Sequence, residues 1–354
     1  MWGMAENRSP VEDREKEGMS MKVLVAGSTG AIGIPLVRQL IDRGHEVYGL
    51  THSTSRAENL RRLGATPIVA DVMNRGALLE AVRDVRADAV VNELTSLSKV
   101  PMRHKDMAAT NALRDRGTRH LIEAARQVGA RRVVTQSFLA GYGYYDHGNE
   151  VLTEDSPFGM PQGNTFDEHL AAMRSAEEQT WQADGIEGIV LRYGFFYGPG
   201  AGTEGLIEMQ RGHRMVVPRN GGGVVSWIYI EDAAAATVAA LERGRAGEAY
   251  NVADNEPASW RRFLDTVAEE FGTSRAMGVP AWVLRMMPYA RAMMTSSYRL
   301  SNAKAKRELG WTPSAPTYRE GIARTALTLA ASQAPQTTSP IGDTVSTTVQ
   351  ERRA

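Results

Sequence analysis

The 354-residue sequence contains no cysteine. This absence excludes disulfides, thiol nucleophiles and thiolate metal sites. No apolar run approaches the roughly 18 residues that a membrane-spanning helix needs, and the charged N-terminus lacks the apolar core of a signal peptide. The sequence therefore predicts a cytoplasmic protein.

An excess of charge of either sign is also lacking. Lysine plus arginine and aspartate plus glutamate both number 41, so the formal net charge is zero. Bulk charge gives no reason to expect a nucleic acid or an anionic membrane as partner. The seven histidines show no paired metal-ligand spacing, and we expect no metal site.

Both ends of the chain lack the patterns of folded segments. Residues 1–20 are polar without periodicity, and residues 331–354 are rich in serine, threonine, proline and glutamine. Segments of this composition bury too little apolar surface to offset the entropy of ordering. We expect disorder in both, and a folded region between them.

The folded region opens with a strand–turn–helix–strand pattern. Residues 22–26 form a short apolar run typical of a buried parallel strand. A helical pattern follows and ends at Gly44, and residues 46–50 predict the next strand. The turn is marked by three glycines, Gly27, Gly30 and Gly33. Glycines at such a turn allow a close approach of pyrophosphate to the helix N-terminus, so the pattern predicts dinucleotide binding.

The end of the second strand bears on which dinucleotide binds. An acidic residue there would hydrogen-bond the adenosine ribose and repel a 2′-phosphate. The segment instead offers hydroxyls and a cation: Thr51, His52, Ser53 and Arg56. These groups favour NADP over NAD, although Arg56 is equally compatible with a solvated loop charge.

The spacing of the glycines, G-x-x-G-x-x-G, resembles that of the extended short-chain dehydrogenase/reductases, the NAD(P)-dependent epimerase/dehydratase family. The resemblance covers about residues 21–328. It continues, in order, through "ADV", "AVVNELTS", "NALRDRGTRHLIEAARQVGARRVV", "VLRYGFFYGPG", "SWIYIEDAAAA" and "LSNAKAKRELGWTPSAPTYREGI".

The resemblance implies an α/β fold, a doubly wound parallel sheet (Rossmann-like) with a smaller C-terminal substrate-binding region. Residues 21–194 would form the NAD(P)-binding domain, and residues 195–330 the substrate-binding cap with the last sheet elements. Helices at 105–128 and 167–183 would supply the four-helix interface of a homodimer. The cofactor contacts implied by the glycine turn and the resemblance are Gly27, Ser28, Thr29, Gly30, Ala31, Ile32, Gly33, Thr51, His52, Ser53, Arg56, Asp71, Val72, Leu94 and Thr95.

The resemblance also implies a catalytic Ser/Thr, a tyrosine that moves the proton, and a lysine four residues after the tyrosine. The tyrosine and lysine positions fall on His169 and Met173. His169 either takes over proton transfer or lines the pocket without a catalytic task. Ser137 follows the fifth strand, although counting back from the Tyr-Gly pair at 142 and 143 places Phe138 at the hydroxyl position. The catalytic candidates are Ser137, His169, Tyr142 and Asn111, with Tyr144 and Tyr145 as rival proton donors.

Two further departures concern the substrate. Phe195 and Val225 stand where sugar-nucleotide members of the family carry an asparagine and an arginine. An apolar side chain cannot replace a bidentate phosphate ligand, so the substrate is expected to be a small, uncharged, non-nucleotide carbonyl or alcohol compound. Its pocket would be lined by Tyr144, Phe195, Phe196, Val225 and Trp227. The Met/Tyr-rich segment 282–294 is either a lid or packing helix, or a surface that selects the substrate.

We therefore expect an oxidoreductase that transfers hydride between NADP, or NAD, and a small substrate, or that epimerises or dehydrates one by transient oxidation. Two alternatives stay open. One is an NAD(P)-binding sensor or regulator without redox activity, which the loss of Tyr and Lys would fit. The other is a non-redox enzyme on the same fold, such as a cyclase or lyase.

Overall fold

The computed structural model describes residues 20–97, 101–280 and 282–333. Residues 1–19 and 334–354, in which disorder is expected, lie outside the described residues. The last helix runs to Gln333, three residues into the segment that composition assigns to the disordered tail. Ala330 and Ala331 are strong helix formers, so the helix continues beyond its packed region.

Fifteen strands occur in the described residues. They are β1 (Lys22–Ala26), β2 (Glu46–Thr51), β3 (Thr66–Val69), β4 (Ala89–Asn92), β5 (Arg132–Phe138), β6 (Val151–Leu152), β7 (Glu187–Tyr193), β8 (Phe195–Tyr197), β9 (Val216–Pro218), β10 (Val224–Val225), β11 (Trp227–Tyr229), β12 (Ala249–Val252), β13 (Ala258–Ser259), β14 (Met277–Val279) and β15 (Arg299–Leu300).

The helices alternate with the strands through most of the chain. They are α1 (Gly33–Asp42), α2 (Thr54–Arg62), α3 (Arg75–Ala81), α4 (Ala108–Ala112), α5 (Thr118–Val128), α6 (Phe166–Trp181), α7 (Thr203–Arg211), α8 (Ile230–Arg243), α9 (Trp260–Phe271), α10 (Pro288–Thr295), α11 (Ala303–Leu309) and α12 (Tyr318–Gln333). A 3₁₀ turn, His104–Met107, precedes α4, and a π-helical turn, Leu113–Gly117, joins α4 to α5.

Seven strands form one parallel sheet in the order β12-β7-β5-β4-β1-β2-β3. The chain winds outward from β1 in both directions, so the topological switch point lies between β1 and β4. Open α/β sheets bind ligands at the carboxyl edge of this point. The doubly wound parallel sheet expected from the sequence is confirmed.

Both faces of the sheet are covered, as the apolar run from Val23 to Ala26 in the first strand requires. Successive side chains of a strand point to opposite faces. Val23 and Val25 of β1 accordingly join the core under α1 and α8, whereas Leu24 and Ala26 join the core under α3 and α5. Apolar layers on both faces therefore hold the sheet in place, and with it the carboxyl edge on which a site can be built.

The C-terminal half adds four two-stranded sheets, β10–β13, β8–β11, β9–β14 and β6–β15. Their side chains merge with the α1/α8 core of the main sheet. None of the described helices is both long and apolar enough to cross a membrane.

Candidate active site

The glycine turn between β1 and α1 is built for close backbone approach. Gly27 has a φ of 83°, which disfavours other residues, and a Cβ there would overlap the backbone carbonyl of Glu93. A Cβ on Gly33 would overlap the carbonyl oxygen of Gly27. The N-cap of α1 is Ile32, which has no side-chain oxygen to accept from the first amides. Those amides face the switch point, where they fit the pyrophosphate of NAD(P).

The end of β2 presents the groups expected around the adenosine ribose. Thr51 is buried and its hydroxyl accepts from the amide of Ser53. Ser53 is the N-cap of α2, while the side chains of His52 and Arg56 are exposed beside it. The four residues thus share one corner of the carboxyl edge, with hydroxyls and a cation available to a ligand.

The other expected cofactor residues lie along the same edge, in different roles. The hydroxyl of Ser28 is fully buried and donates to the carbonyl of Leu50, so it secures the turn. The carboxylate of Asp71 accepts from the amide of Met73 and is otherwise exposed. Val72 is buried at the core side. The exposed or half-exposed positions are Thr29, Gly30, Ala31, Leu94 and Thr95.

Glu93, which the sequence did not single out, lies directly after β4 behind the glycine turn. Its side chain is buried, and burial raises the pKa of the carboxyl to about 8. The hydroxyl of Tyr193 donates to Oε1 over 3.1 Å, and Oε2 has no hydrogen-bond partner among the described residues. Glu93 therefore carries a proton at neutral pH and keeps negative charge away from the pyrophosphate position.

His169 lies in the first turn of α6. A helix that precedes a parallel strand runs antiparallel to it, so this turn is at the carboxyl edge of the sheet. The imidazole Nδ1 lies 2.8 Å from the amide nitrogen of Asn111, and Nε2 lies 2.9 Å from Nδ1 of His104. His169 is 1% exposed, whereas His104 is only half-buried. A hydrogen-bonded chain thus leads from Asn111 through two imidazoles toward solvent.

Aromatic rings enclose His169 on its remaining sides. Its ring centroid lies 5.5 Å from that of Tyr289, 5.9 Å from that of Tyr144 and 6.0 Å from that of Phe166. The rings of Tyr144 and Phe166 stack at 4.7 Å. These rings, the hydrogen-bonded Asn111 and the nearby cation of Arg114 form what we call the His169 cluster. Its members are His104, Asn111, Arg114, Tyr144, Phe166, His169 and Tyr289.

The electrostatic state of the cluster follows from burial and one cation. Burial, then His104 and Arg114, lower the pKa of His169 to about 4. Burial also raises the pKa of Tyr144 well above its ordinary value, and Arg114 opposes this increase. At neutral pH the cluster therefore contains a neutral imidazole and neutral phenols beside an arginine.

Three buried polar atoms of the cluster have no hydrogen-bond partner in the described part of the chain. They are Asn111 Oδ1, Arg114 Nη1 and Tyr144 OH. Leaving a buried polar atom unpaired costs about 1–3 kcal/mol. Their concentration around one imidazole indicates a place for a polar ligand.

The other predicted catalytic residues lie outside this cluster. The hydroxyl of Ser137 is buried and donates to Oε1 of Glu177, which forms a buried ion pair with Arg192. The Tyr142 hydroxyl donates to Asn251 on β12, 2.7 Å away. Both side chains thus have structural partners. Tyr145, the third tyrosine of the loop, packs against His147 and is 38% exposed.

Phe138, the alternative to Ser137, lies at the end of β5 and makes an edge contact with Phe195 at 5.1 Å. Phe195 is half-buried and also contacts Trp260. Phe196, half-buried as well, packs against Tyr193. These side chains form a half-buried aromatic surface, and its correspondence to the hydroxyl and amide of sugar-nucleotide members stays a prediction.

The remaining predicted substrate contacts are core residues. Val225 is fully buried in β10. Trp227 is 2% exposed, and its ring stacks on Phe263 at 3.7 Å. The segment 282–294 folds as a 3₁₀ turn and α10, and it delivers Tyr289 to the His169 cluster. Sequence reasoning named its Met/Tyr-rich character without predicting which residue reaches the site.

Comparison with known proteins identifies the family. The NAD dependent epimerase/dehydratase family model matches residues 23–253. The chain is 36% identical to a 3-diazoavenalumate denitrifying reductase of a Streptomyces species, over 86% of this chain and 100% of that protein. It is 26% identical to a 4-hydroxy-2-methyl-3-oxo-4-farnesyl-3,4-dihydroquinoline-1-oxide ketoreductase of Stigmatella aurantiaca, over 85% and 95% of the two chains.

A solved structure is similar over most of the chain as well. The UDP-glucose 4-epimerase of Thermus thermophilus, in complex with NAD, has a TM-score of 0.69 at 26% identity, and the match covers 86% of this chain and 98% of that one.

The chain belongs to the NAD dependent epimerase/dehydratase family. It is an NAD(P)-dependent enzyme of the short-chain dehydrogenase/reductase superfamily, whose matching members are reductases, dehydratases and epimerases of small substrates. The family and the class of enzyme inferred from the glycine spacing are confirmed. The identity of the proton-transferring residue stays a prediction.

Proposed function

We propose that this enzyme is an NADPH-dependent reductase of a small, non-nucleotide aromatic compound that carries a diazo group. The proposal rests on a neutral His169 and an apolar Met173, which is 1% exposed, at the positions where the resemblance to the family implies the proton donor and its cation. The site thus lacks a good proton donor but offers a large aromatic surface.

The lack of a proton donor makes some reductions less suitable for this site than others. Hydride addition to a ketone leaves an alkoxide, whose oxygen needs a proton from a well-placed general acid. Because burial, His104 and Arg114 lower its pKa to about 4, His169 carries no second proton at neutral pH and is a poor general acid there. The Tyr144 phenol, with its raised pKa, is a weaker acid than a free tyrosine. A reaction whose leaving group departs unprotonated suits these residues better.

Replacement of a diazo group is such a reaction. When bound, the reduced nicotinamide supplies a hydride, so that an arenediazonium and NADPH give the arene, dinitrogen and NADP⁺. Dinitrogen leaves as a neutral molecule and takes no proton from the protein. The similar Streptomyces protein is named for the denitrifying reduction of a diazo compound, which supports this assignment.

The residues of the chain would orient and shield the substrate. The rings of Tyr144, Phe166 and Tyr289 can pack on an aromatic ring near His169. Phe138 and Phe195, in edge contact at 5.1 Å, supply a further half-buried aromatic surface. The neutral imidazole of His169 accepts a hydrogen bond from the amide of Asn111. It adds no second positive charge to that of Arg114 beside a cationic diazonium.

We also propose a preference for NADPH over NADH. The end of β2 carries no acidic side chain, and its exposed Arg56 and half-exposed Ser53 lie at the start of α2. A 2′-phosphate can pair with this guanidinium and hydroxyl. The ratio of the dissociation constants for the two cofactors measures the preference. A cytoplasmic location, expected from the sequence, stays a prediction.

The proposed reaction is tested with 3-diazo-4-hydroxybenzoate and NADPH deuterated at the transferred position. We expect dinitrogen release and deuterium on the ring carbon that carried nitrogen, at a rate well above that of a reaction without protein. The matched ketone, 3-acetyl-4-hydroxybenzoate, should be reduced far more slowly.

The second candidate is a carbonyl reductase, favoured by the Asn111–His169–His104 chain, which can relay a proton from solvent. Rapid reduction of the ketone without consumption of the diazo compound would support it and refute the first proposal. NADPH binding without oxidation by either compound would instead indicate a binding protein without redox activity.

A further inference from the structure

Arg114 has no counter-charge among the described residues. It forms no ion pair with them, and its Nη1 is buried without a hydrogen-bond partner. Arg192, a buried arginine near α6, also leaves its Nη1 unpaired, but it has a counter-charge and donates two hydrogen bonds to Glu177, whereas Arg114 is half-buried and has none within the described ranges. An unpaired buried donor on a cation is costly. Arg114 is therefore arranged for a partner that the described part of the chain does not supply.

The π-helical turn Leu113–Gly117 sets the direction of Arg114. Just before the turn, Asn111 and Ala112 end α4, and Asn111 bonds His169. Within the turn, Asp115 accepts from Ser175 and Gln179 of α6. Arg114 lies between these two anchors, along the same helix–helix contact. After burial and His104, its charge contributes to the lowered pKa of His169, and it opposes the increase that burial causes in the pKa of Tyr144 and Tyr289, as expected for a cation near all three. Single π turns of this kind occur frequently at functional sites.

The unpaired groups around Arg114 define the chemistry of the missing partner. Tyr144 OH is a second buried polar atom that completes no hydrogen bond of normal geometry in the described residues, and it lies beside the Tyr289 hydroxyl and the same imidazole. Two donors of one cluster, one of them charged, match an anionic oxygen, because charge-assisted hydrogen bonds are roughly twice as strong as neutral ones. The neutral His169 and the aromatic walls offer no competing charge.

We propose that Arg114 and Tyr144 bind an anionic oxygen of the substrate, a carboxylate or a phenolate attached to its aromatic ring. The aromatic part of this inference rests on the proposed function, whereas the anion site rests on the cluster alone. It departs from the uncharged substrate expected from Phe195 and Val225, because that expectation did not take the cation of Arg114 on the π turn into account.

The test uses the full-length enzyme saturated with NADP⁺ and measures the binding of three probes by calorimetry. Cinnamate offers a carboxylate only, 4-hydroxycinnamamide a phenol only, and 4-hydroxycinnamate both. We expect Arg114→Met to weaken the binding of each probe that presents the recognised anion about 10- to 100-fold, in keeping with the loss of a charged hydrogen bond. Arg114→Lys should restore part of the loss, because it keeps the charge.

Arg116 supplies the matched control, since it is exposed on the same π turn. Arg116→Met should bind every probe as the wild type does. Unchanged NADP⁺ affinity and thermal midpoint establish that the Arg114 variants are folded. A dependence on Arg114 for cinnamate identifies a carboxylate, and a dependence for 4-hydroxycinnamamide, measured above the pKa of its phenol, identifies a phenolate.

Equal affinity of wild type and Arg114→Met for all three probes overturns the inference, and so does failure of wild type to bind any of them. The outcome is separate from that of the proposed function. Binding that depends on Arg114, in an enzyme that leaves the diazo compound unreduced, would keep the anion site and refute the diazo reaction.

Discussion

His169 stays neutral because its surroundings oppose a second proton. The ring is 1% exposed and lies 2.9 Å from another imidazole, with Arg114 nearby. Protonation would place a charge in a poorly solvated space beside an existing cation. The proximity of these groups could not be predicted from the sequence, since His104 and Arg114 lie some 65 and 55 residues before His169 in the chain. Periodicity placed His169 on a helix but not its partners.

The low pKa of His169 has a consequence for stability. An unfolded chain has a histidine pKa of about 6.5, and the folded one of about 4. Neutral His169 therefore contributes its full stabilisation of the folded state above pH 6.5. This stabilisation is lost progressively as the pH falls toward 4. We expect the free energy of unfolding to drop by about 1–3 kcal/mol over this interval through His169 alone.

Urea unfolding between pH 7.5 and 4.5 measures this loss. His169→Gln keeps a polar side chain but removes the titration, and should flatten the pH dependence. The exposed His52 provides the control, because His52→Gln should leave the wild-type curve unchanged. Parallel loss of stability in wild type and His169→Gln would show that His169 is not the titrating group.

The elements that sequence patterns predicted well are those specified locally. The strand, glycine turn, helix and strand from Lys22 to Thr51 occur as expected, because alternation, turn glycines and helical spacing act within a few residues. Tyr289 reaches the cluster from α10 through tertiary packing, which no local pattern encodes. For the same reason, the sequence did not predict that Trp227 is 2% exposed and packs against Phe263 and Phe195; its contact with the substrate stays a prediction.

The first turn of α1 provides a sharp test of element geometry. A Cβ at Gly33 would overlap the Gly27 carbonyl, so Gly33→Ala must shift the turn, at a cost of about 1–3 kcal/mol. We expect at least a tenfold loss of NADPH affinity by fluorescence titration and a lower thermal midpoint. Gly205, in α7, has open space at its Cβ position. Gly205→Ala should therefore stabilise the helix by up to about 1 kcal/mol without changing affinity. Unaltered NADPH binding by Gly33→Ala would remove this turn from the cofactor site.

At the scale of the whole molecule, α5 and α6 lie side by side on one surface. The buried residues of α5 face the sheet, while Arg119 and Arg126 of α5 and Ala171 and Glu178 of α6 are exposed. The resemblance to the family implies that two copies pair through such a surface. The pairing stays a prediction.

Light scattering after size exclusion tests the pairing. We expect a mass of about twice 38.7 kDa, and a monomer for Ala171→Arg, because a buried unpaired charge opposes association. Leu327→Arg introduces the same charge at a position of α12 that is 72% exposed, and should remain a dimer. A wild-type mass of one chain at micromolar concentration would contradict the predicted interface.

The strand order of the main sheet has a consequence for how the chain is made. In the order β12-β7-β5-β4-β1-β2-β3, every strand after β1 lies beside one that precedes it in the chain. A polypeptide leaving the ribosome at about 5–20 residues per second can therefore add each new strand to an edge already present. No strand of this sheet has to be inserted between two that are paired. Synthesis and assembly of this sheet thus proceed in the same direction, beginning with the strand that leads into the glycine turn.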